Sequence, residues 1–377
     1  MLNGKGKVQF FLSYPLVPGE IAVDGIRFDF CDGCRILFPN KNGSHRVVLI
    51  DNDTGYVLQN TVVCEGGKFR SNIRYFVNWH IDIYNEDNKI IFNHDFSPVG
   101  KQVLFVINSN AIGDTLAWFP YIDKFARKHN CMAGVVMSDL MREIIEPEYP
   151  SITFFDRSAE KTLSPYASYM LGINYQCDQN YQKRRFTQSS LSEIVGCDLG
   201  FDNDLDIRPP RLHETPIDYI YEPYVCMATK GSVEYKCWND THEIEQTVYW
   251  LKNVKNCRVM MIDAENDNLC GAEDFTGHIP LSKRVALLRN CKAFVGMASG
   301  LSWLAWACDV PVVLLGGFSE PFTEFNTPYR VGNWNVCHGC WSNIGKNFTC
   351  SQEVKYKCSK MISSRMVINQ LKRILGE

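Results

Sequence analysis

Up to about residue 95 the apolar positions come in short alternating or β-branched runs, at 8–12, 46–50, 69–78 and 89–92. Turn pairs such as Asp32-Gly33, Asn42-Gly43 and Gly66-Gly67 separate them, which predicts strands joined by tight turns. No 3.6-residue period is sustained here, so residues 1–98 read as a β-rich N-terminal domain, a small sandwich or barrel.

The pattern changes at Pro98-Val99-Gly100. A mostly apolar run at 101–107 predicts a buried strand, and a Gly-bearing turn follows at 108–114. Leu116, Phe119, Ile122, Phe125 and Ala126 then share one stripe of a helix over 115–129. A strand at 131–137, a helix start at Ser138-Asp139 and a strand at 152–155 continue the alternation, which predicts a parallel sheet covered by helices. Arg208-Pro209-Pro210 and Thr215-Pro216 do not suit a central strand and read as a linker. Beyond it come strands at 224–229, 258–263, 293–297 and 311–317, with helices at 241–251, 282–290 and 300–308. The whole predicts an α/β chain with two Rossmann-like halves, 99–212 and 213–336, holding a ligand at the carboxyl ends of their strands.

Composition then removes several functions. A formal net charge of −3 over 377 residues, with no basic run, gives no nucleic-acid footprint. The best apolar stretches, 103–107 and 310–318, are strand-sized, so no membrane span is expected. The first twenty residues lack a signal-peptide core, which predicts a soluble, cytoplasmic protein. Of sixteen cysteines, Cys226, Cys257, Cys291 and Cys308 stand singly in apolar segments and read as reduced core thiols. The sequons at Asn42, Asn52 and Asn347 carry no weight in that setting. Cys31 and Cys34 flank a turn, with no second pair to complete a metal site.

Three segments could carry chemistry. Over 291–321 a strand ends at Gly296, and Ala298-Ser299-Gly300 opens a helix whose free N–H groups suit a diphosphate. Gly300 permits close backbone approach, and Ser299 or Ser302 can add a hydroxyl. In NSNAIGDTLAW, 108–118, Asp114 reads as a helix N-cap or as a general base at the cleft. Lys230 and Lys236 lie just past the strand at 224–229, where an ammonium could neutralise a leaving diphosphate. Separately, Cys337, Cys340, Cys350 and Cys358 fall within 22 residues and predict a closed, structural four-thiolate metal site over 337–360. Sulfur ligands permit zinc or iron alike. A C-terminal helix is expected over 361–377.

These segments carry a family resemblance. The run at 291–321 resembles the nucleotide-phosphate segment of bacterial heptosyltransferases, a G-x-[DA]-[ST]-G-x-[SM]-H-x-A turn and helix followed by P-V-V-x-L-x-G. Gly296, Ser299, Gly300, Ser302, Ala305 and Pro311 fit it, with Trp303 where His is usual. The G-D-T-L-A-W run at 113–118 is similar to the catalytic-Asp segment of the autotransporter adhesin heptosyltransferases. Lys236 and Trp238 match an S-x-K-x-W setting, with Glu234 in place of the Ser. Cys337-His338-Gly339-Cys340-Trp341 resembles the C-H-x-C-W opening of that family's iron finger.

The resemblance implies a glycosyltransferase-B fold and inverting transfer of heptose from ADP-glycero-manno-heptose to Ser or Thr of an autotransporter adhesin passenger. It assigns Asp114 as base, with Thr115 and Trp118 beside it. Lys236, then Lys230, and the Ser299-Gly300-Leu301-Ser302 turn would hold the nucleotide. It further implies iron in the finger and a large homo-oligomeric ring, a dodecamer being the size in view, acting in the bacterial cytoplasm. The rival expectations are a lipopolysaccharide or other sugar-nucleotide glycosyltransferase, and a catalytically inactive metal-stabilised scaffold.

Overall fold

Eight short strands open the chain. They are β1 (Glu20–Ile21), β2 (Arg27–Cys31), β3 (Arg35–Leu37), β4 (His45–Asp51), β5 (Val57–Val63), β6 (Lys68–Arg70), β7 (Trp79–Tyr84) and β8 (Ile90–Asp95). The computed structural model describes residues 15–376 except 42, 159–161, 175–178, 219, 221, 344–349 and 351. The strand expected at 8–12, Asn42 and Asn347 therefore lie outside the described residues.

The eight strands fall into two sheets. Strands β5, β4, β7 and β8 form an antiparallel sheet in that order. The others extend the first α/β sheet, built on β9 (Gln102–Ile107), β10 (Met132–Val136), β11 (Thr153–Phe154) and β12 (Ala167–Leu171). Its order is β11-β10-β9-β12-β2-β3-β6, with β1 also on β2. Strands β12 and β2 run parallel, Ala167 beside Phe30 and Ser168 beside Cys31. The cause lies in β2 itself: Phe28, Asp29, Phe30 and Cys31 are all buried, as in a strand covered on both faces. The buried Asp29 carboxylate is matched by Arg35 on β3, whose guanidinium forks onto it at 2.7 and 2.5 Å.

The second half is a six-stranded parallel sheet. Its strands are β13 (Tyr224–Ala228), β14 (Arg258–Met261), β15 (Glu273–Asp274), β16 (Phe294–Met297), β17 (Val312–Leu315) and β18 (Arg330–Val331), ordered β15-β14-β13-β16-β17-β18. In each half the chain order reverses beside the first strand of the α/β series, so the loops after β9, β13 and β16 open at the crevice where such folds bind ligands.

Helices α1 (Ile112–His129), α2 (Asp139–Ile145), α3 (Leu191–Asp198), α4 (Thr241–Asn253), α5 (Leu281–Arg289) and α6 (Gly300–Ala307) cover the sheets. A short α7 (Lys357–Lys360) and α8 (Ser364–Leu375) end the described chain. Val367 and Leu371 of α8 are buried in the second core. The two halves touch where α1 meets α6. A Cβ at Gly113 would stand 2.8 Å from Trp303, and one at Gly300 would stand 3.0 Å from Ile112. Two missing side chains thus let the loop after β9 rest on the turn after β16. Among the described residues no helix is long and apolar enough to cross a membrane.

Candidate active site

Between the halves lies a cavity of about 590 Å³, lined from both sides. The first half contributes Asp114 from the opening turn of α1. That helix begins at Ile112, with Ala111 as N-cap, so Asp114 is its third residue and does not cap it. Its carboxylate instead accepts a 2.6 Å hydrogen bond from Ser109 Oγ, and Ser109 Oγ also accepts the Ala111 N–H at 3.0 Å. Burial raises the proton affinity of Asp114 above the ordinary carboxylate range, and the Ser109 bond and the Lys236 charge only partly oppose this. A carboxylate made more basic, yet still held by a donor, suits proton abstraction.

The second half contributes cations and backbone donors. Lys230 and Lys236 both line the cavity. Lys230 is taken up by Asp267, whereas among the described residues no carboxylate pairs with Lys236. A free ammonium is the better partner for an incoming diphosphate. Behind them the buried Asp263 accepts the N–H groups of Thr229 and Lys230 at 2.9 and 3.0 Å, which fixes the loop after β13. Ser299, Gly300 and Leu301 also line the cavity at the start of α6. The Ser299 side chain makes no cap bond, and the first N–H groups of a helix have no intrahelical partner, so the turn presents donors to an anion.

Asp114, Lys230, Lys236, Ser299, Gly300 and Leu301 are therefore brought together. Thr115, Trp118 and Ser302 are not, because each is buried behind the cavity. The Thr115 hydroxyl donates to Ala111 O and the Trp118 ring N–H donates to Leu191 O. Ser302 Oγ donates to Met297 O at 2.5 Å, which ties α6 to β16. Trp238 is likewise a core residue, its ring N–H on Ile362 O at 2.9 Å.

The sequence reading missed Ser109, Asp263, Glu324, Phe186 and Trp341. Asp263 carried one usable signal, a carboxylate at the carboxyl end of a predicted strand. Glu324, whose carboxylate is held by Arg330 at 2.8 Å and by Ser319, gave none.

All four cysteines of the predicted finger lie among the described residues. Cys358 is buried, while Cys337, Cys340 and Cys350 are half-buried, and all four are free thiols. Burial, followed by the charges of Cys337, Cys340 and Cys350, pushes the Cys358 thiol up to about 11. The Tyr356 N–H lies 3.5 Å from Cys350 Sγ, the kind of donor that supports a thiolate ligand. The donor set fits a soft metal. Among the described residues no group of three or more His, Cys, Asp or Glu is already arranged around an ion position.

Two family models match the chain: the N-terminal domain of glycosyltransferase TibC over residues 23–87, and glycosyltransferase family 9 (heptosyltransferase) over 214–360. The autotransporter heptosyltransferase BAHTCr of Citrobacter rodentium is 35% identical over 392 aligned residues, covering 98% of this chain and 94% of the relative. The crystal structure of TibC from enterotoxigenic Escherichia coli, an iron-containing dodecameric glycosyltransferase, superposes with a TM-score of 0.89 at 32% identity. That match covers 96% of this chain and 98% of TibC. A TibC complex with ADP-D-beta-D-heptose gives the same TM-score at 33% identity, covering 97% and 99%. BimC of Burkholderia thailandensis, an inactive autotransporter heptosyltransferase, is 29% identical and covers 96% of this chain and 88% of its own.

Proposed function

The chain belongs to the autotransporter heptosyltransferases of glycosyltransferase family 9, and from that premise we propose that it moves heptose from ADP-glycero-manno-heptose to Ser and Thr hydroxyls of an autotransporter adhesin, with inversion. Asp114 takes the proton from the acceptor hydroxyl. The oxygen forms its bond to the anomeric carbon as the bond from that carbon to the diphosphate breaks, and ADP leaves with the electron pair. Lys236 and the N–H groups at Ser299, Gly300 and Leu301 receive the charge that develops on the diphosphate. Lys230, held by Asp267, borders the same pocket in a lesser role. Thr115, Trp118 and Ser302 support the site from behind.

The observation that carries this reading is the convergence, in one cavity, of the Asp114 carboxylate from one half with Lys236 and a helix N-terminus from the other. The ADP-heptose complex of TibC supports the donor class.

The cysteine segment would hold one structural metal ion through Cys337, Cys340, Cys350 and Cys358. TibC's iron favours iron over zinc. Bound there, the ion would cross-link the segment and take no part in transfer. Elemental analysis of purified protein reads this directly, and metal-free protein would refute it. The enzyme works as a large homo-oligomer, a dodecamer like TibC, on a passenger chain in the cytoplasm. Exposed Tyr56, Val57 and Val62 on and beside the edge strand β5 supply apolar contact surface. A monomer in sedimentation would remove the oligomer.

Calorimetric titration tests the donor. The expected order of affinity is ADP-heptose, then ADP, with UDP-glucose and GDP-mannose far weaker. Tight binding of another nucleotide sugar, with no affinity for ADP-heptose, would overturn the assignment.

A further inference from the structure

Trp341 follows Cys340 directly, yet it lines the transfer cavity. Its indole touches both halves of the molecule, edge-to-face with Phe318 of the second half and Phe186 of the first, each at 6.0 Å between centroids. The main chain pins it there: the Trp341 N–H donates to Phe318 O at 2.9 Å, and the Gly339 N–H donates to Gly317 O at 2.8 Å. Close seating is required on the other side too, since a Cβ at Gly317 would stand 2.7 Å from Cys358 Cβ. Phe318 is in turn backed by Tyr235, ring to ring at 4.1 Å.

The Lys236 ammonium lies 5.9 Å from the Trp341 ring centroid and 6.0 Å from that of Phe318. Both distances fall within cation–π range. No carboxylate forms an ion pair with it among the described residues, although its charge reaches Asp114, and the two ring faces confine this long, flexible side chain. A lysine left free in solvent would lose rotamer entropy on meeting a diphosphate. One already confined by two rings loses less and keeps its full charge, which a carboxylate partner would offset.

We infer that Trp341 is a positioning residue of the transfer site: with Phe318 it aims the Lys236 ammonium at the donor diphosphate, so the cysteine-rich segment builds one wall of the active site. This rests on the reading of Lys236 as the diphosphate's cation. Trp341 acts through that lysine and forms no bond in the reaction.

A double-mutant cycle read by ADP titration tests it. Lys236→Met alone should weaken ADP binding, and if it does not, the lysine reading fails first and the inference fails with it. Given that loss, Trp341→Leu should weaken ADP about three- to thirty-fold in the wild-type background. Trp341→Phe, which keeps an aromatic face, should recover most of it. In the Lys236→Met background the Trp341→Leu effect should vanish to within about twofold. Equal weakening in both backgrounds would show that Trp341 only shapes the pocket, and no weakening in a folded Trp341→Leu protein would show that it does neither. If Trp341→Leu does not fold, Phe318→Leu removes the other ring and must give the same lysine-dependent loss.

Discussion

A general base must be ionised at the working pH and still basic enough to accept a proton. At Asp114, the proposed base, burial raises the proton affinity and the Ser109 hydroxyl restrains it. Because its pKa is raised, transfer should fall as pH drops through a value above the ordinary 3.8. Ser109→Ala removes the restraining donor, so the acidic limb of kcat/KM should move to higher pH. A limb that stays in place would show that Ser109 does not govern the base. Asp114 itself was legible because it follows a strand and a glycine within a family motif. Ser109 was not, since a serine five residues upstream of a carboxylate is ordinary until the turn at 108–114 folds one onto the other.

Among the elements, α3 makes a separable prediction. Its start carries a complete capping box, with Ser190 accepting from the Glu193 N–H while the Glu193 carboxylate accepts from the Ser190 N–H. Its last residue, Asp198, is 8% exposed, and burial pushes its pKa up to about 8, although the Lys183 N–H donates to it at 2.8 Å. A carboxyl raised in the folded state gives stability that is full below its unfolded value and is lost as pH rises through the folded one. Asp198→Asn, which can keep the Lys183 bond, should therefore melt higher than the parent above about pH 8 and equal to it near pH 4. A variant less stable at both pH values would contradict the account. Four of the six strands of the second half, β13, β14, β16 and β17, were legible as buried apolar runs between turns. The place of β2 was not, because its pairing with β12 joins residues far apart in the chain. Local alternation reports that a strand exists and is silent on which sheet receives it.

At the scale of the whole molecule, function depends on how closely two α/β halves meet. Gly113 and Gly300 allow the turn that carries Asp114 to rest on the Ser299-Gly300 turn, while Trp341 spans Phe186 and Phe318 at another edge of the cavity. The sequence displayed each of these residues separately. Their meeting is a tertiary fact, as is the burial of Thr115, Trp118 and Ser302 behind the site, where motif matching alone had put them at the substrate. The central claim is that this assembled cleft transfers heptose to protein, and it is tested most directly by the intact mass of an autotransporter passenger incubated with ADP-glycero-manno-heptose and the purified protein. The account predicts heptose on Ser and Thr residues with the parent protein, and a loss of at least about a hundredfold with an Asp114→Asn variant that still binds ADP. An unmodified passenger despite tight donor binding, or near-normal transfer by Asp114→Asn, would contradict it.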